Sequence, residues 1–68
     1  MSKKCYDIVF HDNYNSNAKG FEETFEFCKD YIEMYNGTNY SYFADYKGGY
    51  VQIVNTITGE VDYEEDVE

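Results

Sequence analysis

Apolar residues alternate at the start of the chain and then change period. From Cys5 to Phe10 the order is Cys-Tyr-Asp-Ile-Val-Phe. An extended chain puts Tyr6, Ile8 and Phe10 on one side and Cys5 and Val9 on the other, which predicts a strand inside a sheet. His11 to Lys19 holds four Asn or Asp and one Ser in nine residues, and such side chains compete for backbone hydrogen bonds, so this stretch predicts a loop. Beyond it Phe21, Phe25, Cys28, Ile32 and Tyr35 follow at intervals of four, three, four and three, the spacing of one helix face. Asn36-Gly37 closes that helix, since both residues tolerate left-handed backbone. Gly20 or Thr24 caps its start, where Glu22 and Glu23 are favoured by the helix dipole.

The remainder predicts a three-stranded meander. Tyr40 to Tyr46 is aromatic and β-prone, Lys47-Gly48-Gly49 is a turn, and Tyr50 to Val54 is a strand with Val51 and Ile53 on one face. Asn55 to Gly59 is a longer hairpin turn leading into Glu60 to Tyr63. The expected fold is α+β, a single small domain over residues 1–68 in the order β-α-β-β-β. One helix packs across one face of a mainly antiparallel sheet. Glu64 to Glu68 either extends this domain or forms a frayed acidic tail.

Composition adds two constraints. A chain of 68 residues needs a dense core, and nine Tyr and five Phe can build one. Each buried tyrosine also needs a partner for its phenol, which favours an aromatic rim at the core edge. Fourteen Asp and Glu against five Lys give a net charge of −9, which disfavours direct binding of nucleic acid or an anionic membrane and favours basic protein surfaces. No apolar run is long enough to span a bilayer, and Met1-Ser2-Lys3-Lys4 leads into the first strand without a secretory pattern, so the expected location is the cytoplasm. Cys5 and Cys28 sit on apolar faces and lack metal-binding spacing, which predicts buried free thiols.

On a helical projection Glu22, Glu23, Glu26, Asp30 and Glu33 share an arc of about 100°, an acidic spine. Neighbours in the series Glu22, Glu26, Asp30 repel by a few tenths of a kcal/mol, so the pattern was not chosen for stability. Its plain reading is solvation of an outer face. Its functional reading is mimicry of a nucleic-acid backbone, with carboxylates every ~6 Å along the axis against ~3.4 Å per phosphate. A second run, Glu60, Asp62, Glu64, Glu65, Asp66 and Glu68, supplies the missing density if the last strand lies near the helix end. Phe27, Tyr31 and Met34 widen the apolar arc to about 180°. That flank is either covered by the Asn-rich loop or is a contact surface for a second copy or another protein.

Catalytic chemistry finds little support. His11 beside Asp12, with Ser16 the nearest hydroxyl, offers a base and an orienter but no motif-placed nucleophile, so the expectation is a protein that is not an enzyme. Asp12, Asn13 and Asn15 lack the glycine and distal glutamate of a calcium loop, and neither a metal nor a cofactor is expected.

Gly20-Phe21 through Cys28-Lys29-Asp30-Tyr31-Ile32, Tyr46-Lys47-Gly48-Gly49, and Thr58-Gly59-Glu60-Val61 with Tyr63-Glu64-Glu65 together resemble small uncharacterised acidic proteins of phages, prophages and mobile elements of low-GC Gram-positive bacteria. That class includes anti-CRISPR and anti-restriction inhibitors, several of which mimic nucleic acid. The resemblance implies a bacterial host cell and an inhibitor of a host defence or nucleic-acid enzyme. The alternative is a small homo-oligomeric interaction protein, a homodimer for example, built on Phe27, Tyr31 and Met34.

Overall fold

Six elements follow one another in the computed structural model: β1 (Tyr6–His11), β2 (Ser16–Ala18), α1 (Phe25–Tyr35), α2 (Tyr42–Asp45), β3 (Tyr50–Asn55) and β4 (Val61–Asp66). The structure describes residues 3–68; Met1 and Ser2, read above as part of the lead into the first strand, lie outside the described residues. The strands form one antiparallel sheet in the order β2-β1-β3-β4. The α+β class, the main helix and the four-stranded antiparallel sheet are as the sequence predicts, but two elements differ. The Asn-rich segment supplies a short edge strand, β2. Tyr40 to Tyr46 is not a strand; it contains the helical turn α2.

The core explains both α2 and the central position of β1. Ile8 stands opposite Ile53 and Phe10 opposite Val51, and all four are fully buried. Cys28 and Ile32 of α1, Phe43 and Tyr46 from the α2 region, and Val67 complete the cluster. Tyr42, Phe43 and Tyr46 all bring their rings to Phe10, Phe43 edge-on with centroids 4.9 Å apart. An extended chain would send Phe43 to the opposite side from Tyr42 and Tyr46. A helical turn gathers all three, and the aromatic contacts they make with Phe10 outweigh the β-propensity of the segment.

α1 starts four residues later than its apolar spacing predicts. Thr24 is its N-cap and accepts a 3.0 Å hydrogen bond from the Phe27 amide. Before it, Gly20 and Glu22 take positive φ, and Glu23 runs extended beside β1, exchanging backbone hydrogen bonds of 2.9 and 3.0 Å with Tyr6. The buried carboxylate of Asp7 holds this segment by accepting from the amides of Phe21, at 3.0 Å, and Ile8, at 2.8 Å. Phe21 still covers the helix flank, with its ring 4.7 Å from that of Tyr31.

β4 runs three residues beyond its predicted end. Val67, after it, is 2 % exposed and exchanges backbone hydrogen bonds with Gly48 and Gly49, so Glu64 to Val67 is an ordered part of the fold and not a frayed tail. Gly49 is required there: a Cβ would lie 2.1 Å from the His11 carbonyl oxygen. α1 covers one side of the sheet. The other side carries Val9, His11, Tyr50, Gln52 and Glu64 and is open. Among the described residues, no helix is long and apolar enough to cross a membrane.

Candidate functional site

α1 packs across β1 and β3, and side chains of its outer edge and C-terminus reach β4. Lys29 is one of them: its ammonium pairs with Glu33 Oε1 at 2.7 Å and sits 4.7 Å from the ring centre of Tyr63 in β4. The Glu33 carboxylate holds that ammonium above its ordinary pKa. Tyr63 in turn donates its hydroxyl to Glu65, and this hydrogen bond, with burial, raises the phenol's pKa. At the helix C-terminus the Asn36 amide nitrogen donates to Glu65 Oε2 at 2.6 Å and to the Asp66 carbonyl at 2.8 Å, while its oxygen accepts from the Glu68 amide at 2.9 Å. The last strand therefore lies at the helix end.

The predicted spine is shorter than the projection implied. Glu26, Asp30 and Glu33 are exposed on α1, whereas Glu22 and Glu23 precede the helix and leave its arc. Glu22 takes left-handed backbone; Glu23 is half-buried beside β1, 3.9 Å from Lys4. The second run divides between the two sides of the sheet. Glu65 points toward α1, Glu64 and Asp66 toward the open side, and Asp62 occupies a bulge in the β3–β4 pairing. Glu60 lies in the preceding turn and accepts from the Asn55 amide through its carbonyl. Of the fourteen carboxylates, only those of Glu23 and Glu33 have an ion-pair partner among the described residues. On the α1 side Glu26, Asp30 and Glu65 are left without an ion-pair partner among those residues.

The apolar flank is partly closed. Tyr31 packs against Phe21, Tyr35, Tyr40 and Phe43, and burial raises its phenol pKa. The Asn-rich loop does not cover this flank. Phe27, 46 % exposed, and Met34, 67 % exposed, border a groove of about 350 Å³ with Asp30 and Tyr35.

On the open side of the sheet each strand gives one residue to a row of hydrogen bonds. Ser16 Oγ lies 2.7 Å from His11 Nδ1, His11 Nε2 lies 2.7 Å from Gln52 Oε1, and Gln52 Nε2 donates to Glu64 at 2.8 Å. Because Gln52 gives its N–H to a carboxylate, its oxygen faces His11, and Nε2 carries the proton that it donates to that oxygen. The Tyr50 ring stacks on His11 at 4.9 Å. Ser16 and His11 are thus bonded, and both sit on paired strands of the sheet. The grooves at Cys5 and at Tyr31 are lined by other residues.

No family model, curated protein or solved structure matches the chain. Among the described residues, no group of three or more His, Cys, Asp or Glu side chains is arranged to hold a metal ion. Cys5 and Cys28 are free and buried. Burial pushes the Cys28 thiol up to about 11, with the charges of Asp7 and Glu23 adding to the effect. Sequence reasoning missed Asn36, Tyr63 and Gln52. Gln52 carried a signal, as the one polar residue in Tyr50-Val51-Gln52-Ile53-Val54; a central strand with a polar residue at its middle has one side in water.

Proposed function

We propose that this chain is a non-enzymatic binding protein that occupies a basic, nucleic-acid-binding surface of another protein and keeps nucleic acid away from it. One observation carries the reading: Glu26, Asp30 and Glu33 stand exposed on α1 with Glu65 of β4 held at the helix end by Asn36, and Lys29 pairs with Glu33 alone. Carboxylates on one helix face rise ~6 Å per pair, and those on one side of a strand ~7 Å. On the α1 side of the sheet β4 adds only Glu65 to the helix row, so the spacing there stays coarser than the ~3.4 Å of axis per phosphate in a DNA strand, and the likeness to a nucleic acid lies in charge and not in spacing. A cluster with so few neutralising partners attracts a basic cleft at long range. In this reading the partner is a host defence or other nucleic-acid enzyme, as the resemblance to phage and mobile-element inhibitors implies.

The test is capture of nucleic-acid enzymes from a bacterial extract on the immobilised protein, repeated with Glu26→Lys/Asp30→Lys/Glu33→Lys and with a short DNA duplex as competitor. Capture should fall with the variant, with DNA and with salt, since exposed charges are screened beyond ~10 Å at 0.1 M. Capture that survives both the reversal and the competitor refutes the reading.

The exposed groove at Phe27 and Met34 favours a second reading, a homodimer or other interaction protein built on that flank. Light scattering separates the two. A dimer that dissociates on Phe27→Glu with the fold intact supports the flank, and a monomer at all concentrations counts against it.

A further inference from the structure

We propose that β4 is a docking edge on which an extended basic segment of the partner adds as a fifth strand. The inference rests on the acidic-binding reading above and specifies how the partner engages.

β4 is the last strand of the sheet on its side, so half of its backbone groups face outward, and their identity follows from the pairing. The Val67 amide donates to the Gly49 carbonyl and the Val67 carbonyl accepts from the Gly48 amide, so odd-numbered residues turn their backbone toward β3. Alternation then turns the N–H and C=O of Glu64 and Asp66 outward. Two side-chain contacts agree with this parity, because Asn36 reaches the Asp66 carbonyl and the Glu68 amide. The Asn36 amide therefore bonds the free edge as the peptide group of a neighbouring strand would. It closes the end of the edge and leaves the middle, at Glu64, open.

Charge selects the occupant. An exposed edge invites pairing with any strand, and proteins commonly block it with charge. Here Asp62, Glu64, Glu65 and Asp66 repel a second copy of β4, which places four like charges opposite four. A segment with Lys or Arg at alternate positions meets the opposite situation: one basic side chain faces Glu64, an attractive cross-strand pair, and the segment ends short of Asp66, whose outward carbonyl Asn36 already holds. Backbone bonds supply the docking geometry and carboxylates the selectivity, the general pattern of strand addition.

The probe is a synthetic ten-residue peptide alternating Arg with Thr and Val, with a Glu-for-Arg peptide as control. Amide exchange by NMR should show the Glu64 N–H exchanging fast in the free protein and at least about tenfold slower with the basic peptide. Two variants separate backbone pairing from charge. Glu64→Gln removes the carboxylate and keeps the outward N–H. Glu64→Pro removes both but leaves the β3 ladder intact, since proline is tolerated where a strand N–H points away from its partner. Retained protection of the Val51 and Ile53 amides verifies the fold. Strand addition requires a loss of affinity for Glu64→Pro about tenfold larger than for Glu64→Gln. Equal losses, or peptide binding without Glu64 protection, overturn the edge while leaving the acidic-binding reading in place. Failure of the basic peptide to bind at millimolar concentration, with capture of enzymes also indifferent to Glu26→Lys/Asp30→Lys/Glu33→Lys, overturns both.

Discussion

Replacing Asp30 with Lys should make this protein more stable while damaging the surface proposed to bind. Asp30 is exposed on α1, four residues after Glu26 and three before Glu33, and like charges at these separations cost about 0.2–0.5 kcal/mol each. Lysine removes two repulsions and replaces them with two attractions, up to roughly 1–2 kcal/mol by the same magnitudes. Glu33 already pairs with Lys29, so the lower figure is the better estimate. For a domain of this size 1 kcal/mol raises the melting midpoint by about 4–8 °C. Lysine is also a better helix former than aspartate; Asp30→Gln shares that gain and also removes the repulsions, so the excess of lysine over glutamine reports the new attractions to Glu26 and Glu33. The assay is thermal unfolding followed by circular dichroism at neutral pH in ~10 mM and ~1 M salt, where the screening length falls from ~30 Å to ~3 Å. The excess of Asp30→Lys over Asp30→Gln should be present at low salt and nearly gone at high salt. A lowered midpoint in both variants refutes the view that α1 carries unrelieved repulsion, and an excess that survives ~1 M salt refutes an electrostatic origin of the lysine gain. Binding of a basic partner should weaken in the same variant.

Two further outcomes follow from buried and bridging groups. Asn36→Ala deletes three hydrogen bonds at the junction of α1 and β4; at 0.5–1.5 kcal/mol each, reduced for partial exposure, the loss is about 2 kcal/mol, read as a lower urea midpoint with unchanged slope. The Cys28 thiol is raised from 9.0 to about 11, so the folded state favours the neutral thiol. Its contribution is complete below the unfolded value and disappears as pH rises through the folded one. The urea midpoint should fall across that window, Tyr6, Tyr31 and Tyr63 adding to the fall at its upper end, and the fall should be shallower in Cys28→Ala. An equal slope in that variant refutes the assignment.

The main helix was legible because Phe25, Cys28, Ile32 and Tyr35 must all meet one sheet, and only a helical period lets them. Its start was not. Phe21 keeps the same spacing and does cover the flank, but it reaches Tyr31 from an extended segment, and the left-handed backbone at Gly20 and Glu22 that allows this leaves no trace in apolar periodicity. α2 was hidden by composition: aromatic residues suit strands, yet Tyr42, Phe43 and Tyr46 have the one-and-three spacing that serves a single target ring. β2 offered no apolar signal, since an edge strand over polar ground needs only a partner, and the outward backbone of β1 supplied it. For the candidate site, Glu26, Asp30 and Glu33 on one helix side followed from projection alone. That β4 would lie against them depended on strand order, which sequence spacing does not encode. The extension of β4 did carry a signal: Val61, Tyr63 and Val67 keep alternate positions through the acidic run.

The row from Ser16 through His11 and Gln52 to Glu64 has a consequence for how the strands align. On the helix side Val51 and Ile53 meet Ile8 and Phe10, and sliding a neighbouring strand by two residues would still match oil with oil. On the wet side the same slide would carry Gln52 past His11 and leave a chain of donors and acceptors broken in the middle. Four unlike polar groups thus mark one alignment where four similar apolar groups would accept several.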